Sequence, residues 1–407
     1  MKSRGRSALS LVALTALTAL GCGSSSSASN GDGGGANDAG PALPRWLSSA
    51  RVVVSGHDAD DPYRDCRTVI CRHNENTDLT TFKGAIYFVH RTAISQTLGP
   101  NSALHVYRST DGGKSFTETA RIEAPVDRDV RDPHFYEVNG ELFLKALTRL
   151  AVASARDSNV DTVTVAAHSP DGAAWTPLAQ IGPHGWSFWR IRENNGVYYS
   201  AAYQDGDKSV VLYSSTDGLS WNASTGAPLY AVSADTPLET ELTFMPNGKL
   251  LALVRTDGTD DELLGDVGRL RTKVCWASPP YASFDCSTEL AGQRLDGPLT
   301  FFDSARTRLF VVARKHLQGT GKKRTALFEI TGDAVVSGGA SGGALSIKEW
   351  GELPSAGDTS YAGVAMIDPS HALVRWYSGD LTADRPWVLA MFDLTDVWHG
   401  VIDLGKL

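Results

Sequence analysis

Four turns, Lys83-Gly84, Asn139-Gly140, Asn195-Gly196 and Asn247-Gly248, lie 56, 56 and 52 residues apart by subtraction of the glycine numbers, and an apolar run follows each. Each suits a tight hairpin whose turn needs positive φ, a conformation glycine adopts without steric cost. The runs are short and rich in β-branched, aromatic and aliphatic residues: Ala85-Ile86-Tyr87-Phe88-Val89, Leu250-Leu251-Ala252-Leu253-Val254, Leu309-Phe310-Val311-Val312-Ala313. No amphipathic helix longer than two turns is visible. A repeat of about 50–60 residues in an all-β chain is the spacing of propeller blades. Dividing the folded body by that period predicts an all-β, six-bladed β-propeller.

A second repeat has the Ser-x-Asp-x-Gly-x-x-aromatic form of an Asp-box: Ser109-Thr110-Asp111-Gly112-Gly113-Lys114-Ser115-Phe116. Shortened copies begin at Ser169 and Ser215 and end on Trp175 and Trp221. In such a turn the carboxylate accepts backbone N–H bonds and the ring packs back onto the blade. These segments are expected to be structural.

The N-terminus carries Lys2, Arg4 and Arg6, an apolar run from Ala8 to Leu20, then Gly21-Cys22. The run is short for a bilayer span and reads as a signal peptide over residues 1–21. The small residue before Cys22 resembles a lipobox, with Cys22 as the lipid attachment site. Ala19 stands where Leu is usual, so cleavage nearby without lipidation stays open. Residues 22–45 begin with Ser, Gly, Asn, Asp and Ala and read as a disordered tether, leaving 46–407 for the propeller. Without Cys22 the five cysteines reduce to Cys66, Cys71, Cys275 and Cys286. In an oxidising compartment the two local pairs are natural disulfides; a metal site is the rival reading. A formal net charge of −8 without a basic cluster argues against nucleic acid as a partner. No second hydrophobic span is seen, and the expected state is an exported monomer of the cell envelope, anchored only by its lipid.

The Asp-boxes, together with His73-Asn74-Glu75-Asn76-Thr77-Asp78-Leu79, Val130-Arg131-Asp132-Pro133, Phe188-Trp189-Arg190, Glu239-Thr240-Glu241-Leu242-Thr243-Phe244, Ser278-Pro279-Pro280-Tyr281 and Gly357-Asp358-Thr359-Ser360-Tyr361, resemble the sialidase superfamily of six-bladed propellers over most of the chain. The resemblance implies a glycan partner, no cofactor or metal, and retaining hydrolysis with a tyrosine nucleophile activated by glutamate. An aspartic acid would protonate the leaving group, and arginines would hold the sugar carboxylate. A neutral phenol suits this substrate because an anionic nucleophile would be repelled by the sugar's own carboxylate. Arginine suits the clamp because its planar fork makes paired bonds to a carboxylate.

Carried onto this chain, the pattern assigns Tyr361 as nucleophile, Glu239 as its activator, and Arg255 and Arg314 to the clamp. Glu241, on the same strand as Glu239, is an alternative activator, and each arginine also reads as a solvated strand end. Asp358 joins the substrate-binding set. In its first half the chain departs from the family: the stretch from Asn74 to Leu79, where the family carries an arginine just before the first core strand, has none, and the loop from Thr92 to Ala103 holds no Asp or Glu. Asp78 and Asp132 are the substitute acids, and Arg91, Arg131 and Arg190 the substitute cations. Trp186, Trp189 and Trp376 are candidates for sugar stacking, with packing between blades as the plainer role. The expected function is sialidase-like hydrolysis of a terminal acidic sugar. The alternatives are a glycan-binding lipoprotein whose site has lost its acid and a glycosidase for neutral furanosides.

Overall fold

The computed structural model describes residues 42–57, 65–97, 99–151, 161–204, 208–258, 270–332, 335 and 345–407. The leader, Cys22 and residues 22–41 of the expected tether lie outside the described residues.

The chain forms β1 (Leu47–Val54) and then groups of antiparallel strands. These are β2–β5 (His73–Phe82, Ala85–Ala93, Ala103–Ser109, Thr117–Glu123) and β6–β9 (Arg128–Val138, Glu141–Leu150, Val163–Ser169, Ala179–Gln180). Next come β10–β13 (Ser187–Asn194, Val197–Gln204, Ser209–Ser215, Asn222–Ala223) and β14–β17 (Pro237–Phe244, Leu250–Thr256, Arg271–Ala277, Asp285–Ala291). The last are β18–β21 (Asp296–Phe302, Leu309–Leu317, Lys322–Thr331, Ser346–Glu352) and β22–β24 (Thr359–Asp368, His371–Gly379, Thr395–Asp403).

The sheets are arranged as a β-propeller, but not as six separate ones. The four groups from β6 to β21 are four-stranded sheets, whereas β22–β24 and β2–β5 belong to one eight-stranded sheet. The cause is local. His73 of β2 pairs in parallel with Thr395 of β24, and β1 pairs along the rest of that same edge, opposite β23, so strands from both ends of the domain meet in one sheet.

The expected turns hold the inner strands together. Asn139 and Gly140 have φ of 52° and 79°, and Asn195 and Gly196 have 53° and 79°, the doubly left-handed turn that matches strand twist. Asn247-Gly248 differs: among the two only Gly248 is left-handed, at 82°, and its N–H donates to the Met245 carbonyl. The three Ser-x-Asp turns lie at the far ends of the third strands. Asp111, Asp171 and Asp217 each accept two backbone N–H bonds at 2.7–3.0 Å. Gly172 is required there for space as well, since a Cβ would lie 2.3 Å from the Tyr87 ring of the preceding group. Between groups the core is aliphatic: Val89, Leu104 and Val106 pack with Leu142, Leu144 and Val165.

One irregularity recurs in every innermost strand. The pairing with the next strand slips between Glu75 and Asp78, Arg131 and His134, Phe188 and Ile191, Pro237 and Thr240, Asp296 and Leu299, and Ser360 and Gly363. Such bulges break the strict alternation of side chains and re-aim them. Asn76, Asp132, Gly297 and Tyr361 occupy equivalent places in these slips, all at positive φ between 45° and 54°.

Candidate active site

The slips put chemistry at one end of the central channel. A cavity of about 190 Å³ is walled by Glu75, Arg131, Asp132, Arg149, Glu239, Arg255, Arg314 and Tyr361, with Tyr377, Trp387 and Gln96 among its other neighbours. Tyr361 donates its phenol hydrogen to Glu239 Oε1 at 2.5 Å. Glu239 Oε2 accepts from Arg255 Nη1 at 2.7 Å and from the Gly297 amide at 3.0 Å. Arg255 Nη1 also reaches the Tyr361 oxygen at 3.2 Å. Gly297 can be nothing larger without movement, because a Cβ would stand 3.2 Å from the Tyr361 ring. The phenol is held neutral: burial, then the Glu239 charge, push its pKa well above the usual tyrosine value, against the pull of Arg255 and Arg314.

Arg255 is clamped from behind, its Nε and Nη2 bound to the two Asp257 oxygens at 2.7 and 3.0 Å. Arg314 lies over the Tyr361 ring, 4.8 Å from its centroid. It bonds the Thr359 carbonyl at 2.8 Å, the Tyr377 hydroxyl at 2.8 Å and Asp358 Oδ1 at 3.1 Å. Asp132 faces the same space. Burial raises its carboxyl above the ordinary 3.8, with Arg131 and Lys145 opposing. Its own carbonyl accepts from the fully buried Lys145 ammonium at 3.2 Å.

Other candidates are elsewhere. Arg91 is completely buried and bonds Glu75 Oε1 at 2.5 Å and Asp129 Oδ1 at 2.7 Å, so its fork is spent inside the protein rather than in the cavity. Its neighbour Arg131 does reach the wall, tied to Asp129 Oδ2 at 3.1 Å and to the Gln96 carbonyl. Asp78 and Arg190 pair at 2.6 Å and line a second space further along the channel with His134 and Phe135. Asp358 sits behind Arg314 with no exposed surface. Glu241 is wholly buried against Arg192 and Thr300, away from Tyr361. Of the tryptophans, Trp189 and Trp376 are fully buried and Trp186 packs near Tyr213. The tryptophan on the wall is Trp387, in a single helical turn between β23 and β24, where no strand pattern points to it. Glu75 and Arg149 also line the cavity, beyond the residues the sequence points to. Cys66–Cys71 and Cys275–Cys286 are disulfides, not metal ligands.

No family model and no curated protein matches the sequence. Solved structures do. A Streptococcus pneumoniae sialidase superposes with a TM-score of 0.58 at 10% identity, over 85% of this chain and 71% of that one. The fold is sialidase-like. A Dyadobacter fermentans protein of unknown function has a TM-score of 0.61 at 15% identity, over 88% of this chain and 99% of that one. An α-L-arabinofuranosidase from Fusarium graminearum has a TM-score of 0.56 at 14% identity, with 89% and 99% covered. This sialidase-like fold is thus shared with glycosidases of other sugars. The sialidase chains are the longer ones, 56–71% of each being spanned.

Proposed function

We propose that this protein is a retaining exo-glycosidase of the sialidase type acting on a terminal acidic sugar. The observation that carries the reading is the 2.5 Å bond from the Tyr361 hydroxyl to Glu239, in a cavity that Asp132 also lines. In this reading Glu239 takes the phenol proton while the Tyr361 oxygen attacks the anomeric carbon. Asp132, whose carboxyl burial biases towards the protonated form, delivers its proton to the departing oxygen; it then takes one from the water that attacks the anomeric carbon, while the Tyr361 oxygen leaves and recovers its proton from Glu239. Arg255, Arg314 and Arg131 face the sugar's carboxylate. A cavity of about 190 Å³ is smaller than the roughly 300–1,000 Å³ of drug-sized pockets, which favours a single sugar unit and hence chain-end action.

A neutral sugar is the second reading, favoured because Arg255, Arg314 and Arg131 are each already engaged by protein carboxylates. A panel of aryl glycosides separates the two. Phenol release from an aryl α-sialoside, lost in Tyr361→Phe, is expected. Turnover confined to aryl arabinofuranosides favours the second reading, and glycan binding without turnover leaves only a binding role.

The eight-stranded sheet is read as two blades, six in all, supported by the six-fold recurrence of the inner-strand slip. Residues 46–407 are read as the catalytic domain, carried on a tether from a lipidated Cys22 outside the cytoplasm; the two disulfides support export. Palmitate labelling of the expressed chain is expected to vanish in Cys22→Ser, and labelling that persists there would sink the anchor.

A further inference from the structure

Behind the cavity, where strands from the two ends of the domain meet, His73, Glu75 and Asp358 converge. All three are buried to within 1% of completely, and their ligand atoms lie within 4.8 Å of one another. We propose that they bind one divalent transition-metal ion of the zinc class, which clasps β2 to the Asp358 turn before β22 and so closes the ring beneath Arg314 and Tyr361.

The orientation of each donor supports this. His73 Nδ1 is 2.8 Å from the Asp393 carbonyl, so it carries the hydrogen and Nε2 turns inward, the usual outer support of a metal-binding imidazole. Each carboxylate is anchored by one oxygen and offers the other. Glu75 Oε1 is held by Arg91, and Asp358 Oδ1 by Arg314, Tyr377 and Trp387. Asp358 Oδ2, although fully buried, accepts no well-formed hydrogen bond, His73 Nε2 standing 3.4 Å away, a costly state for a carboxylate oxygen.

Distances discriminate between a metal and a proton. Nε2 lies 3.3 Å from Glu75 Oε2 and 3.4 Å from Asp358 Oδ2. A charge-assisted N–H···O bond is about 2.7–2.9 Å. Two ligands at about 2.0–2.2 Å from a tetrahedral ion stand roughly 3.3–3.6 Å apart, as Nε2 does from each of the two carboxylate oxygens. A ring protonated on both nitrogens is the competing arrangement: burial opposes it, but Asp358 and Glu75 raise its pKa to about 9.

The full chain with its disulfides formed, incubated with Zn²⁺ and dialysed without chelator, is expected to retain about one zinc by elemental mass spectrometry. His73→Gln and Asp358→Asn are expected to retain less than about a tenth of that. Should either variant fail to fold, the wild type still decides: EDTA should lower its thermal midpoint, and Zn²⁺ alone should restore it. Zinc below about a tenth per chain with a midpoint indifferent to EDTA overturns the proposal and leaves His73 as an imidazolium between two carboxylates. None of these readouts depends on glycosidase activity.

Discussion

Glu239 and Tyr361, 122 positions apart, meet through a 2.5 Å hydrogen bond that Gly297 of the intervening strand makes possible. Glu239, Gly297 and Tyr361 all stand in inner-strand slips, so the pair depends on backbone geometry as much as on residue identity. Glu239→Gln is expected to lower kcat/KM by about 10²–10⁴-fold with folding intact, measured on any aryl glycoside the wild type turns over. Gly297→Ala, a change of one methyl group against the Tyr361 ring, should lower kcat more than it raises KM.

Asp132 couples activity to stability. Because burial raises its carboxyl pKa above 3.8, the folded protein holds that proton more tightly than the unfolded chain. The stabilisation is complete below the unfolded value and declines as pH climbs through the raised folded value. Asp132→Asn should therefore unfold at higher temperature than the wild type near neutral pH, while losing the alkaline limb of the kcat/KM profile. Substrates with poor leaving groups should slow by about 10²–10⁴-fold, and activated aryl substrates far less.

Arg91 tests the difference between a buried cation and a ligand-binding one. Replacing it with Met removes the guanidinium that bridges Glu75 and Asp129 and leaves them to His73, Arg131 and Arg149, at a cost of up to about 3–5 kcal/mol. Chemical denaturation should show that loss, and KM of the remaining folded protein should change little. Arg314→Met should do the reverse in KM, because Arg314 lines the cavity.

The Cys275–Cys286 bridge closes a loop of 11 residues between β16 and the start of β17. Chain-entropy reasoning puts its removal at roughly 3 kcal/mol. A Cys275→Ser, Cys286→Ser double variant should show that fall in denaturant unfolding while retaining kcat.

What could be read from the sequence follows from which interactions are local. The hairpin turns, the Ser-x-Asp segments and the apolar strands each depend on a few neighbouring residues, and they are where the sequence placed them. Glu239, Arg255, Arg314 and Tyr361 were legible because each borders an apolar strand and matches a known order of chemistry. Arg91 and Arg131 were not distinguishable: both border strands, but Asp129, distant from Arg91 in sequence, draws that side chain inside. The inner-strand slips have no simple composition, and a one-residue slip decides whether a side chain faces the cavity or the sheet. Asp78 and Asp132, equivalent as candidate acids in the sequence, part for this reason. Trp387 escaped notice because it arrives on a helical turn outside the repeat.

The central claim is tested most directly by trapping the glycosyl-enzyme with a fluorinated sugar fluoride matched to the preferred glycone and mapping the adduct by peptide mass spectrometry. The account predicts a single adduct on the Tyr361 oxygen, absent from Tyr361→Phe. An adduct on Glu239 or Asp132 instead would contradict it.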